Sequence, residues 1–282
     1  MKRWWSCYVT ATRFALIEQA RNRLALIILL FFIPVWTLLA YRLTASTPVP
    51  FFVRPAGQSL MVPANTLSQI TGALQAIALI VGFMMFVATA RSASFDRRLV
   101  QAGYPWLFLA LAKVTSLVVI AAAVAGYTTA WMQLYWRPQQ LVLLAASMFL
   151  GALIYGGIGI MLAAVLRTEL AGMFLLIMIS FIDVGVQNPI ATPVAANPVL
   201  RGLPAYGAMQ SAATSVELHL VPWSYLALGL CWAVATAAIG ITAFMLRTRS
   251  RRTNTSIDLA GATAAHDAVG GAVLAARRSS DH

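Results

Sequence analysis

The sequence predicts an all-α integral membrane protein with six transmembrane helices, an N-terminal interfacial helix and both termini in the cytoplasm. Three observations predict it. Hydrophobic residues make up 60% of the chain and charged residues only 10%, whereas the surface of a soluble domain requires about a quarter charged. The few charges gather in short stretches, and the apolar runs between them are long enough to cross about 30 Å of hydrocarbon. Lys and Arg also fall unevenly on alternate connections, which orients the spans.

Residues 1–23 come first, and within them 2–20 read as a helix lying on the inner surface. Trp4, Trp5, Tyr8, Thr12 and Leu16 can share one apolar face, with Arg13 and Gln19 elsewhere. Trp and Tyr favour the membrane interface, and Lys2, Arg3 and Arg13 reach headgroups.

The six-span domain covers 24–246, with spans expected at 24–41, 66–90, 106–133, 141–166, 170–188 and 222–246. The first is expected to remain as a span: Trp36, Tyr41 and Arg42 replace the small residues of a cleavage site. Between the fourth and fifth, only Arg167, Thr168 and Glu169 break the apolar run. A single helix over 141–188 would measure about 70 Å, more than twice the hydrocarbon core, so a tight turn is expected there.

Connections on the N-terminal side carry Arg91, Arg97, Arg98, Arg167, Arg247, Arg249, Arg251 and Arg252, beside Lys2, Arg3, Arg13, Arg21 and Arg23. The opposite side carries Arg42, Arg54, Arg137 and Arg201. Positive charge marks the cytoplasmic face. The net charge of +12 therefore reads as topology and contact with anionic membrane lipids, not nucleic acid.

Outside the spans, loop 42–65 carries Pro48, Pro50, Pro55 and Pro63 and is expected to lack regular structure. Segment 189–221 is broken by Pro189, Pro193, Pro198 and Pro204. Its part 205–218 has helical character and is expected to dip back without spanning. Residues 247–282 lack periodicity and read as a disordered cytoplasmic tail.

Several chemistries are excluded. The lysines are Lys2 and Lys113, and neither follows a Walker-type loop. His219, His266 and His282 form no ligand pair at metal spacing. No G-x-S-x-G elbow or intramembrane acid–base cluster appears. No catalytic residue, resident cofactor or metal is expected, and a membrane-embedded enzyme is the weakest class.

Charges inside spans are costly and mark function by default. Lys113, about two turns into the third span, is expected to snorkel to the interface. Asp183 lies roughly 20 Å along the fifth span. Ser180, Asp183 and Gln187 share one of its faces. The second span carries a comparable stripe: Ser68, Gly72, Gln75, Leu79 and Gly82. One reading is a shared, partly hydrated cavity; the other is helix packing, with Asp183 capping a helix end. In the fourth span, Ala152 with Gly156 and Gly159 with Ala163 permit close helix approach.

The stretch Arg91-Ser-Ala-Ser-Phe-Asp-Arg-Arg-Leu-Val-Gln-Ala-Gly-Tyr-Pro-Trp106 precedes Lys113. The run Tyr155-Gly-Gly-Ile-Gly-Ile-Met-Leu-Ala-Ala-Val-Leu-Arg-Thr-Glu169 closes the fourth span. With the span layout over about residues 1–250, these resemble the type-2 permease family of ATP-binding-cassette (ABC) transporters. The loop departs from many members in having Asp96 as its lone acidic residue. The resemblance implies a permease subunit of an ATP-driven exporter in the cell membrane, such as the bacterial cytoplasmic membrane. It implies a second permease copy or paralogue and a separate ABC ATPase subunit that binds the ATP. Phe95, Asp96, Arg97, Arg98 and Leu99 would form a short exposed helix that couples to the ATPase. The second and fifth spans would line the path, through Ser68, Gly72, Gln75, Ser180, Asp183 and Gln187. The competing class is a stand-alone carrier or channel. A carrier is expected to show two similar halves, and 24–133 and 141–246 show no convincing repeat.

Overall fold

The computed structural model describes residues 2–54, 57–166, 168–188, 198–243 and 245. The expected tail at 247–282, Arg167 of the expected turn and the first part of the 189–221 segment lie outside the described residues. Helices α1 (Lys2–Arg21) and α2 (Arg23–Arg42) are followed by strands β1 (Pro48–Val53) and β2 (Gln58–Pro63). Then come α3 (Ala64–Gln101), α4 (Trp106–Met132), α5 (Leu141–Val165) and α6 (Glu169–Val186). A 3-10 turn (Pro198–Gly202) leads into α7 (Tyr206–Glu217), and α8 (Trp223–Ala243) is the last described helix.

Among the described residues, six helices, α2 to α6 and α8, are long and apolar enough to cross a membrane. Except at the C-terminal end of α3, their ends fall close to the expected spans, because hydropathy and length are local properties. The fourth and fifth spans are separate helices: α5 stops at Val165, Leu166 is extended, and α6 begins at Glu169.

Two expectations are corrected. The helix of the second span does not end near residue 90. Helix α3 runs unbroken for 38 residues, about 57 Å, so residues 91–101 continue the span helix and form no separate short helix. No proline or glycine interrupts Val87–Gln101, and the helix stops only where Gly103 takes a φ of 91° before Pro105.

The second correction concerns loop 42–65, which contains an antiparallel β-hairpin. Its register pairs Pro48 with Pro63 and Pro50 with Met61. These three prolines share one parity, so the ladder can run through the alternate pairs; Ala64 N–H donating to the Thr47 carbonyl at 3.0 Å extends that same set. Proline lacks an N–H but is tolerated where none is needed. Gly57, with φ 63°, supplies the left-handed turn residue. Phe51, Val53 and Val62 are buried against the bundle.

Helices α3 and α5 form the centre, and α2, α6 and α8 present largely exposed apolar faces. Small residues explain the close α3–α5 approach. A Cβ at Gly159 would collide with the Gly82 carbonyl and the Phe86 backbone, and one at Gly156 would crowd Val81 of α3 and collide with Leu117 of α4. On the far side of α5, Gly157 meets Thr236 of α8. Expected small-residue packing in the fourth span is thus realised at Gly156 and Gly159.

At one end of the bundle, α1 packs along the first turns of α4. Tyr8 Oη and Thr115 Oγ1 are 2.7 Å apart, Trp4 and Phe108 meet edge to face at 5.6 Å, and Tyr104 donates to the Cys7 carbonyl at 2.6 Å. Gln19 corrects its expected placement: it is buried and its Nε2 donates to Met85 Sδ at 3.7 Å. It continues the face of Tyr8, Thr12 and Leu16 at the next three-residue step. Trp4 and Trp5 are exposed.

At the other end, α7 is the helix expected from 205–218, and Tyr206–Val216 are buried. Its C-terminal end is tied to the start of α5, where Gln140 Nε2 donates to the Leu218 carbonyl at 2.5 Å and Gln140 N–H to that of Ser215 at 3.2 Å. Gly207 permits contact with the α8 backbone at Tyr225 and Gly229. A 12-residue helix, about 18 Å long, is too short to cross hydrocarbon.

Candidate functional site

Two polar centres sit at opposite ends of the bundle. The first lies where the extension of α3 meets α4 beneath α1. Lys113 Nζ is 2.8 Å from Asp96 Oδ2. It also donates to Ser92 Oγ at 2.5 Å, and Ser92 donates in turn to Asp96 Oδ2 at 3.0 Å. Ser92 and Asp96 are one helical turn apart, so both face Lys113. Asp96 is 5% exposed.

Lys113, expected to snorkel, ends beside a carboxylate on the neighbouring helix. One expectation is corrected: Asp96 does not belong to an exposed surface. The rest of that segment divides by helix face: Phe95 is 62% exposed and Arg98 is exposed, whereas Arg97 and Leu99 are half-buried.

Above the ion pair, α1, α3 and α4 enclose a groove of about 550 Å³. Its walls are mainly apolar, with Phe14 and Ile17 on α1 facing Phe95 and Leu99 on α3. Glu18 and Arg21 stand at its edge. Burial pushes the Glu18 carboxyl above its ordinary value; Lys113 opposes the rise, Asp96 reinforces it and Arg91 opposes it.

The second centre surrounds Asp183, which is 2% exposed. Tyr155 of α5 donates its hydroxyl to Oδ2 at 2.5 Å, and Ala205 N–H donates to the same oxygen at 2.9 Å. Gln187 Nε2 donates to Oδ1 at 2.5 Å. Ala205 is the N-cap residue of α7. The carboxylate therefore sits at the positive end of that helix dipole and satisfies an N–H that the helix leaves free.

The expected path residues are brought together only in part. Gln75 Nε2 donates to Ser180 Oγ at 3.0 Å, and both are buried, so α3 and α6 are in contact there. Gly82 packs on Leu176 of α6 just below. Ser68 and Gly72 instead turn toward α2: Thr44 donates to Ser68 at 2.9 Å, and Gly72 lies against Ala40 and Trp36. Ser180, Asp183 and Gln187 share a face of α6, as their spacing predicts.

Sequence reasoning missed Tyr155, Ser92, Glu18, Tyr206 and Gln210. Two had a local signal. Tyr155 carries a hydroxyl inside an otherwise apolar span, which calls for a partner, and Ser92 lies four residues before Asp96. Among the described residues, no group of three His, Cys, Asp or Glu side chains could hold a metal ion. Compared with protein-family models and with curated proteins, the sequence matches none.

Proposed function

We propose that this chain is the permease subunit of an ATP-driven ABC exporter, paired with a second permease and energised by a separate ATPase. In this reading the α1 end is cytoplasmic, in line with the excess of Lys and Arg there. The observation that carries the proposal is the long α3. Its last turns extend the span helix and are braced to α4 by the buried Asp96–Lys113 pair. A push on exposed Phe95 and Arg98 would therefore be transmitted along one rigid helix into the centre of the bundle.

The groove between α1 and α3 supplies the docking chemistry. Exposed Phe14 and Phe95 offer apolar anchors, and Arg21, Arg91 and Arg98 surround them with positive charge. Anchors of this kind carry most of the energy in protein interfaces, while rim charges steer the encounter. Asp183 and Gln75 would hold the opposite end closed between transport events.

Replacing Phe95 by aspartate is the test. In vesicles containing the permease and its ATPase, Phe95→Asp is expected to lower ATP-dependent export at least tenfold, about 1.4 kcal/mol of lost coupling or more. Its unfolding midpoint should be unchanged, since the side chain is exposed. Export at the wild-type rate would remove Phe95 from the coupling surface.

A further inference from the structure

At the Asp183 end, a small cavity lies between the hairpin, the end of α6 and the start of α7. Phe51, Val186, Gln187, Tyr206, Met209 and Gln210 are among its walls. Three of those side chains are at least nine-tenths buried: Tyr206 is 2%, Gln210 5% and Gln187 9% exposed. Each has a polar atom without a hydrogen-bond partner, namely Gln187 Oε1, Gln210 Oε1 and the Tyr206 hydroxyl.

The amide of Gln187 cannot turn to relieve this. Its Nε2 donates to Asp183, and a flip would set an amide oxygen against a carboxylate. Two carbonyl-type acceptors and one hydroxyl thus line the same space. Leaving buried acceptors unmet costs about 1–3 kcal/mol each.

We infer that this cavity is a binding site for one water molecule, which bridges Gln187 and Gln210 and accepts from Tyr206. Water supplies what the walls lack: two O–H donors for the amide oxygens and a lone pair for the phenol. Three hydrogen bonds are typical of a buried water. The cavity, about 10 Å³, has room for one molecule. A cation would also suit two amide oxygens, but the electrostatics disfavour it. Burial raises the Tyr206 phenol above its ordinary value, and the positive charges of Arg54 and Arg201 oppose that rise. The Arg201 side chain comes near the phenol, yet the hydroxyl has no partner in hydrogen-bonding geometry. The bound water would join α6 to α7 beside the Asp183 contact, making the closure of this end partly solvent-mediated.

Radiolytic hydroxyl-radical labelling of the full chain in detergent tests this, because radicals formed from a bound water oxidise the side chains touching it. Tyr155 is the internal control: it is 1% exposed and its hydroxyl is already bonded to Asp183. Tyr206 and Met209 are expected to label several-fold faster than Tyr155. Gln210→Met, of similar volume, should reduce the Tyr206 rate toward the control. Equal labelling of Tyr206 and Tyr155 in the wild type would overturn the proposal, and that comparison stands even if the variant does not fold. Faster Tyr206 labelling when sodium and potassium are replaced by a bulky organic cation would overturn it as well, since an inorganic cation would then be the occupant.

Discussion

Replacing Asp183 by alanine is expected to destabilise the protein strongly. The substitution leaves the Tyr155 hydroxyl, the Ala205 N–H and the Gln187 amide without their acceptor in a buried site. A buried hydrogen-bonded charge removed from its partners costs about 3–5 kcal/mol. For a chain of this size that corresponds to a fall of about 10 °C in the unfolding midpoint. The measurement is thermal unfolding in detergent at one fixed scan rate, since unfolding of such proteins is commonly irreversible. Asp183→Asn keeps one acceptor oxygen and the side-chain shape, so it should lose less than half as much. If Asp183→Ala unfolds within about 2 °C of the wild type, equivalent to under 1 kcal/mol, the carboxylate does not hold α7 in place.

The second large effect is expected at Asp96 and Lys113. Asp96→Ala leaves an ammonium ion largely buried between α3 and α4 without its carboxylate, and Lys113→Met leaves the carboxylate without its cation. Breaking a buried pair from either side costs about 3–5 kcal/mol, whereas replacing both partners by apolar groups is often close to neutral. The double variant Asp96→Ala/Lys113→Met should therefore recover most of the stability that either single variant loses. Unfolding midpoints of the four proteins give the coupling directly. Additive losses would mean that the two charges act independently. Export then separates the roles: a stable double variant that no longer exports would assign the pair to coupling and not merely to folding.

Both effects depend on contacts that sequence reading reached only from one side. Lys113 and Asp96 were each legible as unusual charges, but 17 positions separate them. Only the packing of α3 on α4 shows that they meet. Snorkelling is what a lysine judged from its own helix suggests; the carboxylate that receives it sits on the neighbouring helix. Asp183 is similar. Its placement on a face with Ser180 and Gln187 follows from helical periodicity. Its main partners do not, because Tyr155 lies on another span and the Ala205 N–H is free only because α7 begins there.

The helices were largely legible for the opposite reason. Length and hydropathy over about 20 residues determine whether a segment can cross hydrocarbon, and no distant contact alters that. Local rules fall short at two places in this chain. Four prolines in loop 42–65 suggested irregular chain, yet Pro48, Pro50 and Pro63 fall at alternating positions that a two-stranded ladder tolerates. Charge after residue 90 suggests a break before a separate short helix. Charge ends the apolar stretch without ending the helix, and Arg, Ser and Ala all continue one readily.

Reconstitution of transport tests the central claim most directly. The purified chain is placed in lipid vesicles alone and together with an ABC ATPase that co-purifies with it. Efflux of a lipophilic dye is then followed with ATP, without ATP, and under an imposed proton gradient. The account predicts efflux only when chain, ATPase and ATP are all present, and its loss with Phe95→Asp. Efflux by the chain alone under a proton gradient would contradict it, and would make the molecule a self-sufficient carrier.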